Sequence, residues 1–204
     1  MSLPSILDAA HCAAAEVLTT GDVAVDATVG NGHDTLFLAR SVGAAGHVYG
    51  IDIQDEALRS ARERLKAAGV DDRVTLIEGG HEDLRIHLPN TAQGAVGSVM
   101  FNLGYLPGSD SEVVTRPETT CAALDAACRV LRVGGRITAV VYTGHDGGKQ
   151  EAEAVEQWAQ RLGRDRFTAV SYSLTNRPNN PPRLVVVEKC GAHDPSTAEP
   201  NKGR

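Results

Sequence analysis

Carboxylates flank a short glycine turn in the first third of the chain. Asp26 ends an apolar run rich in β-formers, the turn Gly30-Asn31-Gly32 follows, and a second apolar run ends at Asp52. Glycines permit positive φ and let a ligand approach the backbone closely. A carboxylate about twenty residues beyond such a turn can accept hydrogen bonds from ribose hydroxyls. The pattern therefore predicts a βαβ unit that binds an adenosine-bearing cofactor, with Asp52 on the ribose.

The turn also indicates which adenosine cofactor it receives. A dinucleotide fingerprint needs a third glycine where this chain has Thr35, and Asp26 and Asp34 would repel a pyrophosphate. The ammonium and sulfonium of S-adenosyl-L-methionine would be attracted instead. Asp26 could reach that ammonium, or it could cap the amides of the turn, and Asp34 could also be a helix N-cap. The predicted cofactor contacts here are Asp26, Gly30, Asn31, Gly32, Asp34, Asp52 and Gln54.

Two later apolar runs also end on groups that could touch ligands. After the third run, Gly80 would let backbone amides approach the adenine, and His81 could stack on the ring or hydrogen-bond to it. The alternative is a plain glycine turn before a helix. After the fourth run come Asn102, Tyr105 and Pro107, at the strand end where open α/β sheets bind ligands. Asn102 is predicted to contact cofactor and acceptor, and Tyr105 could instead be core packing.

Two more candidate segments lie later in the chain. One follows the fifth apolar run, and the other joins the last two predicted strands. His145 could be a general base, since its unperturbed pKa lies near neutrality, or it could mark a turn. Asp110 is a second candidate for the residue that relays the proton. Asn176, Arg177 and Arg183 belong to a stiff, Pro-rich hairpin loop, and the two arginines could meet a phosphate. Read structurally, that loop is only a connection.

Composition limits the partners that the chain could have. The formal net charge of −6 argues against tight, nonspecific binding to a phosphate backbone. It does not exclude an RNA-binding site that contacts only a small area around one unstacked loop base. The four cysteines form no C-x-x-C pair, so no metal site is expected. No apolar run is long enough to span a membrane, and the N-terminus has no basic residue before its apolar stretch, so we expect a cytoplasmic protein.

Strands and helices alternate along the chain, as a doubly wound parallel sheet requires. The Asn/Pro-rich link between the last two strands is too short for a crossover, so these strands must pair antiparallel. We therefore predict one α/β domain over residues 1–190, with seven strands of which one is reversed, and a disordered tail over 191–204. Predicted strands cover 23–28, 47–53, 73–78, 96–102, 136–142, 167–174 and 183–188; predicted helices cover 4–18, 34–42, 55–68, 82–87, 117–131 and 149–162.

Five ordered segments carry a resemblance to a known family. These are DATVGNGHD, GHVYGIDIQ, FNLGYLPGSD, YTGHDGGKQEAEAV and NRPNNPPRLVVVEK. With them the chain resembles a family of Rossmann-like class I S-adenosylmethionine-dependent methyltransferases labelled "putative rRNA methylases". Its characterised members methylate the amino group of 5-aminomethyl-2-thiouridine at the tRNA wobble position. The resemblance implies a tRNA partner, contacted at the anticodon loop, and leaves a homodimer open.

The resemblance also suggests roles at the fourth strand. Methyltransferases that act on exocyclic amines often carry an (Asn/Asp)-Pro-Pro-aromatic loop there, in which the amide orients the amine and the aromatic ring stacks on the base. This chain keeps Asn102 and Tyr105, but Leu103 and Gly104 replace the prolines. Two other functions stay open. One is a small-molecule N- or O-methyltransferase, and the other is a non-catalytic S-adenosylmethionine-binding partner in a modification complex.

Overall fold

The apolar runs form strands, and amphipathic segments between them form helices. The computed structural model describes residues 3–104, 114–144, 147–177 and 181–191. Its strands are β1 (Val23–Asp26), β2 (His47–Asp52), β3 (Val74–Glu78), β4 (Val96–Leu103), β5 (Leu131–Val141), β6 (Phe167–Tyr172) and β7 (Arg183–Lys189). Its α-helices are α1 (Ile6–Ala15), α2 (His33–Val42), α3 (Asp55–Ala67), α4 (Leu84–His87), α5 (Pro117–Val130) and α6 (Gly148–Gln160).

The strands form one seven-stranded sheet in the order β3-β2-β1-β4-β5-β7-β6. β7 pairs antiparallel with both β5 and β6, and the described pairs among β1 to β5 are parallel. This confirms the predicted mostly parallel sheet with one reversed strand. Because the chain winds outward in both directions from β1 and β4, their carboxyl ends form the topological switch point, where open α/β sheets bind ligands.

Both faces of the sheet are covered, as β4 shows most clearly. Val99, Phe101 and Leu103 pack into the core on the side of α5 and α6, whereas Met100, between them, packs into the core on the side of α1 and α2. Successive side chains of a strand point to opposite faces, so this central strand is apolar at nearly every position. Two positions are polar: Ser98, which is buried within the strand, and Asn102, which lies at the functional edge.

Several boundaries differ from those predicted, and two of the differences have a clear physical cause. β5 begins at Leu131 instead of residue 136, because Leu131 already pairs with Val96 before the ladder shifts register and resumes at Arg136. Gly134, with φ of 76°, lies in that irregular stretch. α1 begins at Ile6 instead of residue 4, because Ser5 is its N-cap in a capping box with the third helical residue.

Two features of the described residues bear on the sequence expectations. None of the described helices is both long and apolar enough to cross a membrane. In the part of the chain that the structure describes, no group of three or more His, Cys, Asp or Glu side chains is arranged to hold a metal ion.

Candidate active site

The glycine turn between β1 and α2 is shaped by two left-handed residues. Gly30 has φ of 49° and Gly32 has φ of 76°, and the Gly32 amide donates to the Val29 carbonyl at 2.8 Å. A Cβ on Gly32 would lie 2.7 Å from the Cβ of Ala61 on α3. Gly32 is thus required twice, for its backbone conformation and for the close approach of α3. The turn presents backbone at the switch point.

Asp52 joins the end of β2 to this turn. Its Oδ2 accepts from the Gly30 amide at 2.8 Å, and its Oδ1 accepts from the Gln54 amide at 3.0 Å. The side chain is half-buried, and each carboxylate oxygen has a second lone pair. The structure therefore brings Asp52, Gly30 and Gln54 together as predicted. The arrangement can accept hydrogen bonds from ribose hydroxyls, and that contact stays a prediction.

Asp26 is fully buried, and its hydrogen bonds stay within the turn and α2. Oδ1 accepts from the Thr28 amide at 3.2 Å, and Oδ2 accepts from the Thr35 hydroxyl at 2.6 Å. Burial, reinforced by the nearby negative charge of Asp34, raises the pKa of Asp26 from 3.8 to about 7, against the opposing effect of the two hydrogen bonds. The capping role left open by the sequence is thus the observed one. A contact with the methionine ammonium stays a prediction.

Asp34 lies at the centre of a buried polar network that links three elements. Its Oδ1 is 2.7 Å from Nε2 of His11 on α1, and its Oδ2 accepts from Nδ2 of Asn102 on β4. The His11 ring stacks on Phe37 of α2, with centroids 4.0 Å apart and planes at 6°. Asp34 is 7% exposed, so these bonds are largely shielded from water. Its carboxylate is occupied by side chains and does not cap the amides of α2.

This network fixes the direction of the Asn102 amide. A carboxylate only accepts, so Nδ2 must face Asp34 and Oδ1 must face away. The Asn102 backbone amide also donates to the Thr28 hydroxyl at 2.7 Å, which holds the end of β4 against the glycine turn. The buried Oδ1 has no hydrogen-bond partner among the described residues. A buried acceptor without a donor is costly, and this one lies at the switch point, so it is a candidate ligand contact.

His81 lies beside β4, after the end of β3. Its ring is half-buried and meets the Phe101 ring edge-on, with centroids 6.2 Å apart and planes at 73°. Burial lowers the pKa of His81, against the raising effect of the surrounding carboxylates, so burial favours the neutral ring. Its Nε2 has no partner within the described ranges. A Cβ on Gly80 would meet only the flexible carboxylate of Glu82, at 2.5 Å from Oε2, so the structure does not require a glycine here.

The chain segments on the two sides of residues 105–113 meet, and a buried carboxylate holds the second of them. Glu151 of α6 is 1% exposed and accepts from the hydroxyls of Thr115 at 2.7 Å and Thr120 at 2.6 Å. The Thr115 amide donates to the Gly104 carbonyl at 2.9 Å, so the two flanks of the segment meet. The predicted acceptor residues Tyr105 and Pro107, and the candidates Asp110 and His145, lie outside the described residues.

The remaining predicted residues lie on the same edge, beyond β5. Arg183 begins β7 opposite Val141 of β5, and its Nη1 is 2.8 Å from Oε1 of Glu156. Asn176 and Arg177 are exposed in the segment after β6. Arg183 is therefore paired with a carboxylate of the protein itself, and the phosphate contact that the sequence suggested stays a prediction.

Sequence reasoning missed three polar residues that organise the site. They are His11, Thr28 and Thr35. A signal existed for Thr35, which stands where a dinucleotide turn has its third glycine, and whose hydroxyl meets Asp26. No signal in the sequence places His11 beside Asp34, because α1 precedes the βαβ unit and its packing partners are distant in the chain.

Comparisons with known proteins place the chain in a family. Residues 48–188 match the family model described as "Putative rRNA methylase". The chain is 39% identical over 190 residues to the tRNA (mnm(5)s(2)U34)-methyltransferase, chloroplastic, of Arabidopsis thaliana, which covers 89% of this chain and 69% of the relative.

Solved structures agree with that placement. The "putative rRNA-methylase" of Clostridium thermocellum is 41% identical, with a TM-score of 0.88 over 93% of this chain and 100% of its own. A "putative methyltransferase" of Streptococcus mutans, in complex with SAH, is 34% identical, with a TM-score of 0.83 over 92% of this chain and 99% of its own.

The site geometry fits the cofactor that these relatives imply. Two left-handed glycines shape the turn, Asp52 has acceptor capacity next to them, and the buried amide oxygen of Asn102 has no donor among the described residues. The predicted resemblance is confirmed, and the chain is an enzyme that uses S-adenosylmethionine. It belongs to the "Putative rRNA methylase" family of S-adenosylmethionine-dependent methyltransferases.

Proposed function

We propose that this enzyme methylates an amine nitrogen, namely the 5-aminomethyl group of (2-thio)uridine at the wobble position of tRNA. One observation carries the proposal: Oδ1 of Asn102, at the carboxyl end of β4, is buried and has no hydrogen-bond partner in the described part of the chain. An amide oxygen accepts a hydrogen bond from an N–H, so it can hold a primary amine with its lone pair free. The name of the Arabidopsis relative, a tRNA (mnm(5)s(2)U34)-methyltransferase, supports the same acceptor.

Asn102 is suited to an amine that gains positive charge as it reacts. When bound, the cofactor supplies a methyl group on a positively charged sulfur. The attacking nitrogen becomes cationic, so the hydrogen bond from its N–H to Oδ1 of Asn102 strengthens in the transition state. Asp34 accepts from Nδ2 on the other side of the amide, which prevents a flip and polarises the oxygen. Positioning and desolvation are then the main tasks of the protein.

The cofactor would be held by groups at three strand-to-helix connections, those after β1, β2 and β3. Asp52 would bind the ribose, Gly30, Asn31 and Gly32 would present backbone to it, and Gln54 follows Asp52. Gly80 and His81 would contact the adenine, for which a neutral ring suits stacking. Asp26 and Asp34 would supply the negative field for the methionine ammonium, with Asp34 the more effective because the pKa of Asp26 is raised to about 7.

The remaining roles belong to residues beside this centre. Tyr105 would pack on the uracil next to Pro107, and His145 or Asp110 would relay the amine proton. Asn176, Arg177 and Arg183 would contact the RNA strand beyond β5. We further propose one methyltransferase domain over residues 1–190 with a tail over 191–204, a cytoplasmic location, and a homodimer as the alternative to a monomer.

The experiment that tests this function compares acceptors. Purified enzyme is incubated with methyl-labelled S-adenosylmethionine and either bulk tRNA that carries unmethylated aminomethyluridine or a metabolite extract. We expect label in tRNA only. Label in small molecules and none in tRNA would contradict the proposal in favour of a small-molecule methyltransferase, and no turnover without other proteins would indicate a non-catalytic partner.

A further inference from the structure

A cavity lies on the β5 side of the candidate active site. It has a volume of about 720 Å³ and lies between α6, the end of β6 and the start of β7. We call it the hairpin groove and define it by five of its lining residues: Thr143, Lys149, Glu156, Arg177 and Arg183. The catalytic roles assigned above do not use Lys149 or Glu156.

The groove lies on the same edge of the sheet as Asn102. Asn102 pairs with Val140 on β5, and the next residue of β5, Val141, pairs with Arg183 on β7. Neighbouring strands are about 4.8 Å apart, so the backbone of Arg183 is about 10 Å from that of Asn102. One nucleic-acid strand could therefore reach both, with its reacting base at Asn102 and a neighbouring phosphate at Arg183.

The three cationic side chains of the groove differ in whether a carboxylate of the protein already pairs with them. Neither Lys149 nor Arg177 forms an ion pair with any of the described residues, and both are exposed. Arg183 is held by Glu156 at 2.8 Å, with side-chain exposures of 46% and 32%. An ion pair this exposed contributes little to stability, so an incoming anion can replace the carboxylate. Glu153 also lines the groove and adds a second negative charge.

We infer that the hairpin groove binds backbone phosphates of the RNA strand that carries the reacting base. Lys149 and Arg177 contact these phosphates directly, and Arg183 leaves Glu156 to contact them when the RNA binds. This inference rests on the proposed function, because it takes its ligand from the RNA acceptor. It adds Lys149 as a contact and Glu156 as an internal competitor. Glu156 would favour strands whose phosphate reaches Arg183 over bulk polyanions, and it would limit nonspecific binding.

Direct binding of a synthetic anticodon stem-loop RNA, in the presence of S-adenosylhomocysteine, tests the groove without methyl transfer. Lys149→Ala and Arg177→Ala should each weaken binding and lower the slope of log affinity against log salt by about 0.7. Glu156→Gln should tighten binding roughly two- to fivefold, about the worth of one exposed ion pair. Lys66→Ala and Glu63→Gln, exposed on α3, are the controls with matching charge changes.

The outcomes separate the groove from the proposed function. Weaker binding by the lysine and arginine variants, tighter binding by Glu156→Gln and unchanged control variants support the groove, whether or not the RNA is then methylated. If Lys149→Ala behaves like Lys66→Ala, or Glu156→Gln like Glu63→Gln, the groove is not the phosphate site, even when tRNA is methylated. Failure of the proposed function would appear instead as RNA binding without methyl transfer.

Discussion

Replacing Asn102 with alanine removes the feature on which the proposed chemistry depends. The variant loses Oδ1, the proposed acceptor for the amine, and Nδ2, the donor to Asp34. Asp34 keeps its contact with His11 at 2.7 Å, so the network loses one bond and not both. We therefore expect a folded protein with a specific defect in methyl transfer.

The size of that defect follows from the charge on the amine. A hydrogen bond from a group that becomes cationic is worth about 1.5–3 kcal/mol, which corresponds to a roughly ten- to 150-fold loss of kcat. The unpaired Asp34 oxygen should lower the free energy of unfolding by about 1–3 kcal/mol. Affinity for S-adenosylhomocysteine should change little, because the ribose and adenine contacts belong to other loops.

Single-turnover methyl transfer and calorimetry with S-adenosylhomocysteine measure these quantities separately. Asn90→Ala, an exposed change in a 3₁₀ turn at Asn90–Ala92, is the matched control for the substitution itself. If Asn102→Ala weakens S-adenosylhomocysteine binding by the same factor that it lowers transfer, Asn102 holds the cofactor instead of the amine. An unchanged transfer rate would remove Asn102 from the chemistry.

Three further predictions concern the cofactor side of the site. Asp52→Ala should weaken S-adenosylhomocysteine binding roughly ten- to a hundredfold in calorimetry through the loss of charged ribose contacts; an unchanged dissociation constant in a folded variant would contradict that role. Gly32→Ala should destabilise the fold, because the new Cβ would lie 2.7 Å from that of Ala61 and φ is 76°; a melting temperature equal to that of the parent would refute this packing. The pKa of Asp26 is raised from 3.8 to about 7 in the folded protein, so Asp26 loses its proton at a lower pH in the unfolded chain. The free energy of unfolding should therefore fall as pH rises between these values, by up to about 1.4 kcal/mol per pH unit. Asp26→Asn should flatten this decline in urea titrations, and pH profiles that run parallel for the parent and the variant would contradict the prediction.

Much of the fold and part of the site could be predicted from the sequence. Each strand was visible as an apolar run, and parallel strands bring their carboxyl ends to one edge, so Gly30, Asp52 and Asn102 were expected near each other. The start of β5 at Leu131 was not predictable, because the irregular ladder around Gly134 depends on pairing with β4.

The network around Asp34 shows why the rest could not be predicted. His11 reaches it only because α1 packs across β4, β5 and β7, and these contacts are distant in the chain. Asp26 was read correctly as a residue beside the turn, but its complete burial depends on Thr35 donating from the next helix. Local patterns identified the carboxylates, whereas tertiary packing decided which of them is buried, paired or open to a ligand.

Mass spectrometry of tRNA nucleosides, before and after incubation with the purified enzyme and S-adenosylmethionine, tests the central claim most directly. The account predicts that 5-aminomethyl-(2-thio)uridine gains one methyl group, that fragmentation places it on the side-chain nitrogen, and that the Asn102→Ala enzyme forms this product far more slowly. A methyl group on a ribose oxygen, on a ring atom or on another nucleoside, or no gain at all, would contradict it.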